Sequence, residues 1–425
     1  MFHHTLVCAL ALLAIGASPA ANAKSAGADR RAAVRQIERA IDTTYLIPAM
    51  RPKIIAQLER SLRANHYNVD DPEIFAQRVT ADLEAVAHDG HLYLMSDAAQ
   101  YAAMLAPAAS SEGLEAFRHA IAIRDHSGLT KMEILPGNVR YLKLEHFQWI
   151  PDVTRQAYDD AARFLKDGDA IIIDLRDNGG GNSDAADYFS KAFLAPDPLR
   201  PDTSQARERD PRWTGKPLYL LVDGGVASAA EAVAYGAQQE KTAFIVGSTT
   251  YGAANNNKKF PIAPQFVLSV SYNRPINPIS GTNWEGTGVK PDILVSGVAA
   301  LDAAQLDALN RLKHASNVPP QQLAEYRWAS TAIEARLHPV VLDKTSMQRM
   351  AGVYGTVELR DTPAGLRFYR SDRPKRPQGV VMLPLNTQGL FSIDGYDDLR
   401  AEVTPAGVAL LHGAEDAREV FLRDQ

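Results

Sequence analysis

Cysteine is almost missing from this 425-residue chain. The single one, Cys8, lies in the apolar stretch 5–17, so a chain without that stretch has no disulfide, no thiolate nucleophile and no cysteine metal site. Neither HExxH nor another paired-histidine pattern occurs, so neither a metal nor any other cofactor is expected. Long basic runs are lacking too. With 45 Lys and Arg against 50 Asp and Glu, the formal charge is −5, which makes nucleic acid a poor partner. No apolar run is long enough to span a bilayer, residues 5–17 included, and stable membrane insertion is not expected. What residues 5–17 do fit is an export signal: the run is followed by SPAANA, with Ala21 and Ala23 small at both cleavage positions, although the leading MFHH carries no Lys or Arg. Residues 1–23 are therefore expected to be a signal peptide, and the mature protein to be secreted to the periplasm.

Four further regions follow, since the chain is too long for one core. Residues 24–95 show apolar positions at three- and four-residue spacing in RAAVRQIERAIDTTYL and PKIIAQLERSLRANHY, the mark of packed helices. In NVDDPEIFAQRVTADLEAV, Asp70 or Asp71 is placed to cap a helix that starts at Pro72. Residues 96–300 alternate strand-like NVRYLKLEHF, AIIIDLR, PLYLLVD and TAFIVG with helical TRQAYDDAARFLK and AAEAVAYGAQQ, which predicts an α/β core on a largely parallel sheet. Residues 301–345 return to helix as a linker. Residues 346–425, punctuated by Gly and Asp between GLRFYR, GVVMLPL, GLFSIDG and GVALLH, predict a small antiparallel β domain.

Four short stretches carry polar groups that such a core does not need. In GGVASAAEAVAYG (224–236), Ser228 sits where a strand turns into a helix. With Glu231 three residues on it fits a capping box, and it equally has what an acyl-transfer nucleophile needs, with outward backbone N–H groups and a favourable helix dipole. The small neighbour Ala229 leaves its own N–H open. In AIIIDLRDNGGGNSDAADYF (170–189), Gly179, Gly180 and Gly181 follow a buried strand. The spacing fits neither phosphate-loop pattern, and the glycines suit a backbone that binds an oxyanion or makes a tight turn. EAVAHDGHLYL (84–94) places His88 and His91 either side of Asp89-Gly90, where helix gives way to strand. ISGTNWEGTGVKPDILV (279–295) places Glu285 beside Trp284, where a partly desolvated carboxylate could orient a histidine. Read singly, a cap, a structural histidine and a loop acid account for Ser228, His91 and Glu285, whereas three consecutive glycines suit an oxyanion-binding backbone better than a plain turn.

Together they do not stand singly. DLRDNGGG, GGVASAAE, TTYG and TNWEGTGVKPD, in that order, resemble the tail-specific (C-terminal-processing) serine peptidase family over roughly residues 40–300. The resemblance implies the crotonase-like sheet of those proteases and makes Ser228 the nucleophile. One branch of the family pairs the serine with a lysine in T-F/Y-G-K. Here Thr250-Tyr251-Gly252-Ala253 has no lysine, and Lys258 and Lys259 come too late. The sequence is closer to the branch of the tricorn core protease and the interphotoreceptor retinoid-binding protein modules. Its D-x-H stretch matches Asp89-Gly90-His91, and its E-G-x-G-V segment matches residues 285–289. The implied scheme has His91 deprotonate Ser228, Glu285 orient the imidazole, and an oxyanion held by the Ala229 N–H and one N–H of loop 179–181, with Gly180 the first choice. His88 is the rival base, though a residue at that point can simply finish the helix before it.

Many relatives place a PDZ module between the histidine and the sheet. Only about 40 residues separate His91 from Asn138 here, fewer than such a domain occupies, and EGLEAFRHAIAIR reads as one helix. A peptide or unfolded protein is therefore the expected substrate, in preference to a folded protein's tail. The alternative from another class is a non-catalytic binding protein for a small apolar ligand or peptide on the same fold.

Overall fold

The structure is a computed structural model and describes residues 19–106, 111–194, 215–372, 378–415 and 417–424. It divides into two compact units, Met1–Ser111 with Asn255–Pro275, and Glu112–Ala254 with Ile276–Gln425. Residues 1–18 of the expected signal lie outside the described residues, and the expected cleavage point at Ala23 falls within the first helix.

In the first unit, α1 (Pro19–Thr44), α2 (Arg51–Arg63) and α3 (Pro72–Ala87) bury Ile37, Ile41, Ile54, Leu58, Phe75, Val79 and Leu83 against one another. Asp71 is the cap of α3: its carboxylate accepts from the N–H groups of Glu73 and Ile74 at 2.8 and 3.3 Å, and Pro72 fills the first position, where no N–H is needed. The helices pack on an antiparallel sheet of β1 (Tyr93–Ser96), β8 (Phe266–Asn273) and β7 (Asn256–Ile262), in the order β1-β8-β7. Leu94, Phe266, Leu268 and Val270 are its contribution to the core. A helix α4 (Ala98–Leu105) is capped by the side chain of Asp97.

The second unit contains α5 (Ser111–Arg124) and a six-stranded sheet. Its order is β2 (Leu129–Leu135), β3 (Val139–Leu144), β4 (Ala170–Asp174), β5 (Leu218–Val222), β6 (Phe244–Gly247) and β9 (Ile293–Leu294). Only β2 to β3 is antiparallel; the rest run parallel. Strand β4 shows why an unbroken apolar run is needed. Ile171 and Ile173 face one core, Ile172 the other, and all are fully buried, because both faces are covered by helices. One face carries α6 (Pro151–Leu165), α7 (Ser183–Phe193) and α8 (Ala229–Gln239). The other carries α9 (Ala300–Lys313) and α10 (Pro320–Leu337), through Ala300, Ala304, Ala308, Tyr326, Ala329 and Ile333. Residues 301–345, read from the sequence as a linker, thus supply one of the two layers over the sheet.

After α11 (Lys344–Met350), eight antiparallel strands follow in sequence order: β10 (Gly352–Tyr354), β11 (Val357–Thr362), β12 (Gly365–Arg370), β13 (Val380–Pro384), β14 (Leu390–Ile393), β15 (Tyr396–Thr404), β16 (Gly407–His412) and β17 (Ala417–Leu422). The two ends of this meander meet, since the Asp424 N–H donates to the Val353 carbonyl at 2.9 Å and the Gly355 N–H to the Asp424 carboxylate at 3.1 Å. Tyr354, Leu359, Phe368, Phe391, Val403 and Leu410 fill its interior.

Candidate active site

The loops after β4, β5 and β6 leave the carboxyl ends of parallel strands, where open α/β sheets place their ligand sites. The first loop is pinned at its root. Asp174, fully buried, accepts from the Arg176 backbone N–H and Nε at 3.0 and 2.9 Å and from the Tyr141 hydroxyl at 2.7 Å. Burial raises its pKa, but these donors outweigh burial and hold it below the ordinary carboxylate value. Asn178, also fully buried, then ties the glycines down: its Nδ2 donates to the Leu144 carbonyl at 3.0 Å, and its Oδ1 accepts from the Gly180 N–H at 2.9 Å. Its own carbonyl accepts from the Ala227 N–H at 3.0 Å, which joins this loop to the next.

Ser228 is the N-cap of α8, with φ 54° and ψ −119°. A residue with a Cβ pays of order 1–3 kcal/mol for such a conformation and keeps it only when its surroundings hold it there. A sharp strand-to-helix turn of this kind is how unrelated hydrolases expose a nucleophilic serine. Gly180 is pressed against it. A Cβ at Gly180 would lie 2.7 Å from the Ala227 oxygen, 2.8 Å from the Ser228 Cβ and 2.9 Å from the Ala229 nitrogen, so with φ +96° only glycine fits. The Gly180 N–H, expected from the sequence as the loop's oxyanion donor, donates to the Asn178 Oδ1, and among the described residues the Gly179 and Gly181 N–H groups make no backbone hydrogen bond. The Gly180 carbonyl, in turn, accepts from the Phe147 N–H.

The turn is held by Glu231, the third residue of the helix and Ser228's partner in the capping box. It is fully buried, and its Oε2 accepts from the Ser228 N–H at 3.0 Å and the Ala253 N–H at 2.8 Å. Its Oε1 accepts from the Thr250 hydroxyl at 2.5 Å and the Gly252 N–H at 2.6 Å. One carboxylate therefore fixes both the serine turn and loop 250–253. The signal for it was the spacing S-x-x-E. What was not legible is that three of the four donors come from about 20 residues downstream. Ala253, at the position of the other branch's lysine, offers only this N–H. Lys258 and Lys259 lie on β7 of the first unit, Lys258 over the Phe260 ring and Lys259 beside Gln100.

Glu285 is half-buried, and its Oε2 accepts from the Ala254 N–H at 2.6 Å. It sits on a loop stitched to loop 250–253, with the Gly286 N–H donating to the Gly252 carbonyl at 2.9 Å and the Val289 N–H to the Thr250 hydroxyl at 2.7 Å. Beside it, Trp284 packs on Tyr235 of α8 with ring centroids 5.0 Å apart. Within the second unit, then, Ser228, Ala229, Gly180 and Glu231 come together, and loop 250–254 links them to Glu285.

His91 belongs to the first unit, on the turn between α3 and β1. Asp89 organises that turn, accepting from the His91 N–H at 3.0 Å, the Ser271 hydroxyl at 2.9 Å and the Asn255 Nδ2 at 3.3 Å. The His91 ring is buried, and burial lowers its pKa below the usual histidine value, against the pull of Asp89. His88 closes α3 in the left-handed conformation, φ 49° and ψ 47°, with its N–H on the Glu84 carbonyl. That is a helix-ending role. Among the described residues, no group of three or more His, Cys, Asp or Glu side chains is arranged to hold a metal, and no helix is long and apolar enough to cross a membrane.

Residues 138–295, which hold the serine turn, the glycine loop and Glu285, match the sequence profile of Peptidase family S41. Over this segment the chain is similar to the S41 peptidases. The chain is 28% identical over 176 residues to a carboxy-terminal-processing protease of Bartonella bacilliformis, covering 37% of this chain and 39% of that protein. It is likewise 28% identical over 179 residues to the chloroplastic carboxyl-terminal-processing peptidase 2 of Arabidopsis thaliana, covering 37% and 33%. The chain thus spans well under half the length of these curated relatives. Among solved structures, the tricorn protease aligns with TM-score 0.43 and 11% identity over 65% of this chain and 35% of that one. The photosystem II D1 C-terminal processing protease aligns with TM-score 0.37 and 15% identity over 71% and 97%.

Proposed function

We propose that this protein is a secreted, periplasmic serine peptidase that hydrolyses peptide bonds through Ser228, His91 and Glu285 and a covalent acyl-enzyme. The observation that carries the reading is Ser228 itself: a non-glycine residue held at positive φ by a buried carboxylate, at the head of a helix, with Gly180 against it. A structural cap needs none of that strain. The attack would run from the Ser228 Oγ to a peptide carbonyl, its proton passing to His91 and then to the leaving amine. The Ala229 N–H and an N–H of Gly179 or Gly181 would take the oxyanion. Glu285 would hold the imidazole in the tautomer that accepts the proton. The relatives named for carboxy-terminal processing support a peptide or protein substrate, and the short span between His91 and β3 favours an extended or unfolded one.

The test is covalent. A fluorophosphonate probe should label the purified protein at Ser228, located by peptide mass mapping, and Ser228→Ala should be folded, unlabelled and inactive. A wild-type protein that stays unlabelled under conditions that label a control serine peptidase would favour the ligand-binding alternative.

A further inference from the structure

Tyr251 is 59% exposed, and among the described residues its hydroxyl makes no hydrogen bond. Exposed tyrosines on loose loops are ordinary, but this loop is not loose. The Tyr251 N–H donates at 3.0 Å to the carbonyl of Val226, two residues before Ser228. Its neighbours Thr250 and Gly252 both donate to Glu231, the carboxylate that also takes the Ser228 N–H. On the other side, the Thr250 N–H donates to the Val289 carbonyl at 3.3 Å and the Gly286 N–H to the Gly252 carbonyl at 2.9 Å. Gly288 approaches so closely that a Cβ there would lie 2.3 Å from the Thr250 oxygen. The backbone of Tyr251 is thus fastened between the serine turn and the loop bearing Glu285, while most of its side chain is left open to solvent. A rigidly based aromatic ring loses little conformational freedom on contact and offers a large apolar face.

We infer that Tyr251 is a substrate-contacting wall of the Ser228 site, selecting peptides with a large apolar side chain next to the scissile bond. This rests on the serine-peptidase reading. A side chain laid on the ring would leave water in the acyl-enzyme as well as in the bound peptide, so the effect falls on kcat/KM.

The experiment compares wild type, Tyr251→Ala and Tyr251→Phe on peptides that differ only in carrying Leu or Ala beside the scissile bond, with cleavage points mapped by mass spectrometry. Wild type should favour Leu, Tyr251→Ala should lower the Leu-to-Ala ratio of kcat/KM by about 10-fold or more, and Tyr251→Phe should keep it. A ratio unchanged in Tyr251→Ala, or an equal loss on both peptides, overturns the inference. So does a loss of the ratio in Tyr251→Phe, which would put the hydroxyl and not the ring in charge. Fluorophosphonate labelling of wild-type Ser228 separates the two layers: labelling with an unchanged ratio sinks only the role of Tyr251, whereas absence of labelling and cleavage sinks the peptidase reading and this inference together.

Discussion

At the scale of single residues, the environments of His91 and Glu231 set expectations that their identities alone do not. A buried imidazole with its pKa lowered stays neutral, and able to accept a proton, at pH values where an exposed one is already charged. The acid limb of kcat/KM should therefore fall below the ordinary histidine value of about 6.5, read from a pH–rate profile on one peptide. His91→Ala should cost about 10²–10⁴ in kcat, whereas His88→Ala, at a helix end, should stay within about tenfold. Glu231 is a different case, since its carboxylate satisfies four donors in the protein interior. Glu231→Gln would turn an NH2 towards N–H groups and leave at least one donor unsatisfied. The expected cost is on the order of 3 kcal/mol in urea unfolding, with fluorophosphonate labelling slowed because the Ser228 turn is no longer held.

At the scale of elements, the glycine loop and the serine turn behave as one piece, because Asn178 and Gly180 of the first contact Ala227, Ser228 and Ala229 of the second. Gly180→Ala forces a methyl group into backbone atoms that cannot move without shifting Ser228. Labelling and peptide hydrolysis should fall by at least about 100-fold, comparable to losing an oxyanion donor. The substitution should be felt less in stability than in rate, since the strands beneath are anchored by Ile171, Ile172 and Ile173. Activity per folded molecule, from active-site titration against a circular-dichroism melt, distinguishes the two.

At the scale of the second unit, α10 serves two masters. One side of it enters the core on the parallel sheet through Tyr326, Ala329 and Ile333. On the other, the Trp328 Nε1 donates to the Asp397 carbonyl at 2.7 Å and the Arg400 guanidinium stacks over the Trp328 ring at 3.7 Å. Arg400 is buried there, and burial pulls its pKa down to about 10. Trp328→Ala should loosen the eight-stranded sheet from the helix at a cost of about 1–3 kcal/mol, seen as an earlier thermal transition. Peptide hydrolysis by the folded protein should be unchanged, because Trp328 touches none of the groups around Ser228.

The elements were legible because their patterns are local. AIIIDLR must be a strand covered on both faces, Asp71-Pro72 must open a helix, and a serine between PLYLLVD and an alanine-rich run must stand at a helix head, since propensity, periodicity and capping act over a few residues. The order of the motifs likewise carries the resemblance to the C-terminal-processing peptidases, since each motif is itself a local pattern. Pairings between distant segments were not legible. Residues 256–273 return to the helical unit as β7 and β8, and residues 301–345 cover the sheet instead of linking domains, because apolar surface is buried wherever tertiary packing finds room for it. The strain at Ser228 lies in the same class, set by a carboxylate whose partners arrive from residues 250–253. So does the loss of the Gly180 N–H to Asn178. Which N–H groups remain for an oxyanion is decided by hydrogen bonds that close only when the loops meet, and a sequence lists donors without saying which are already taken.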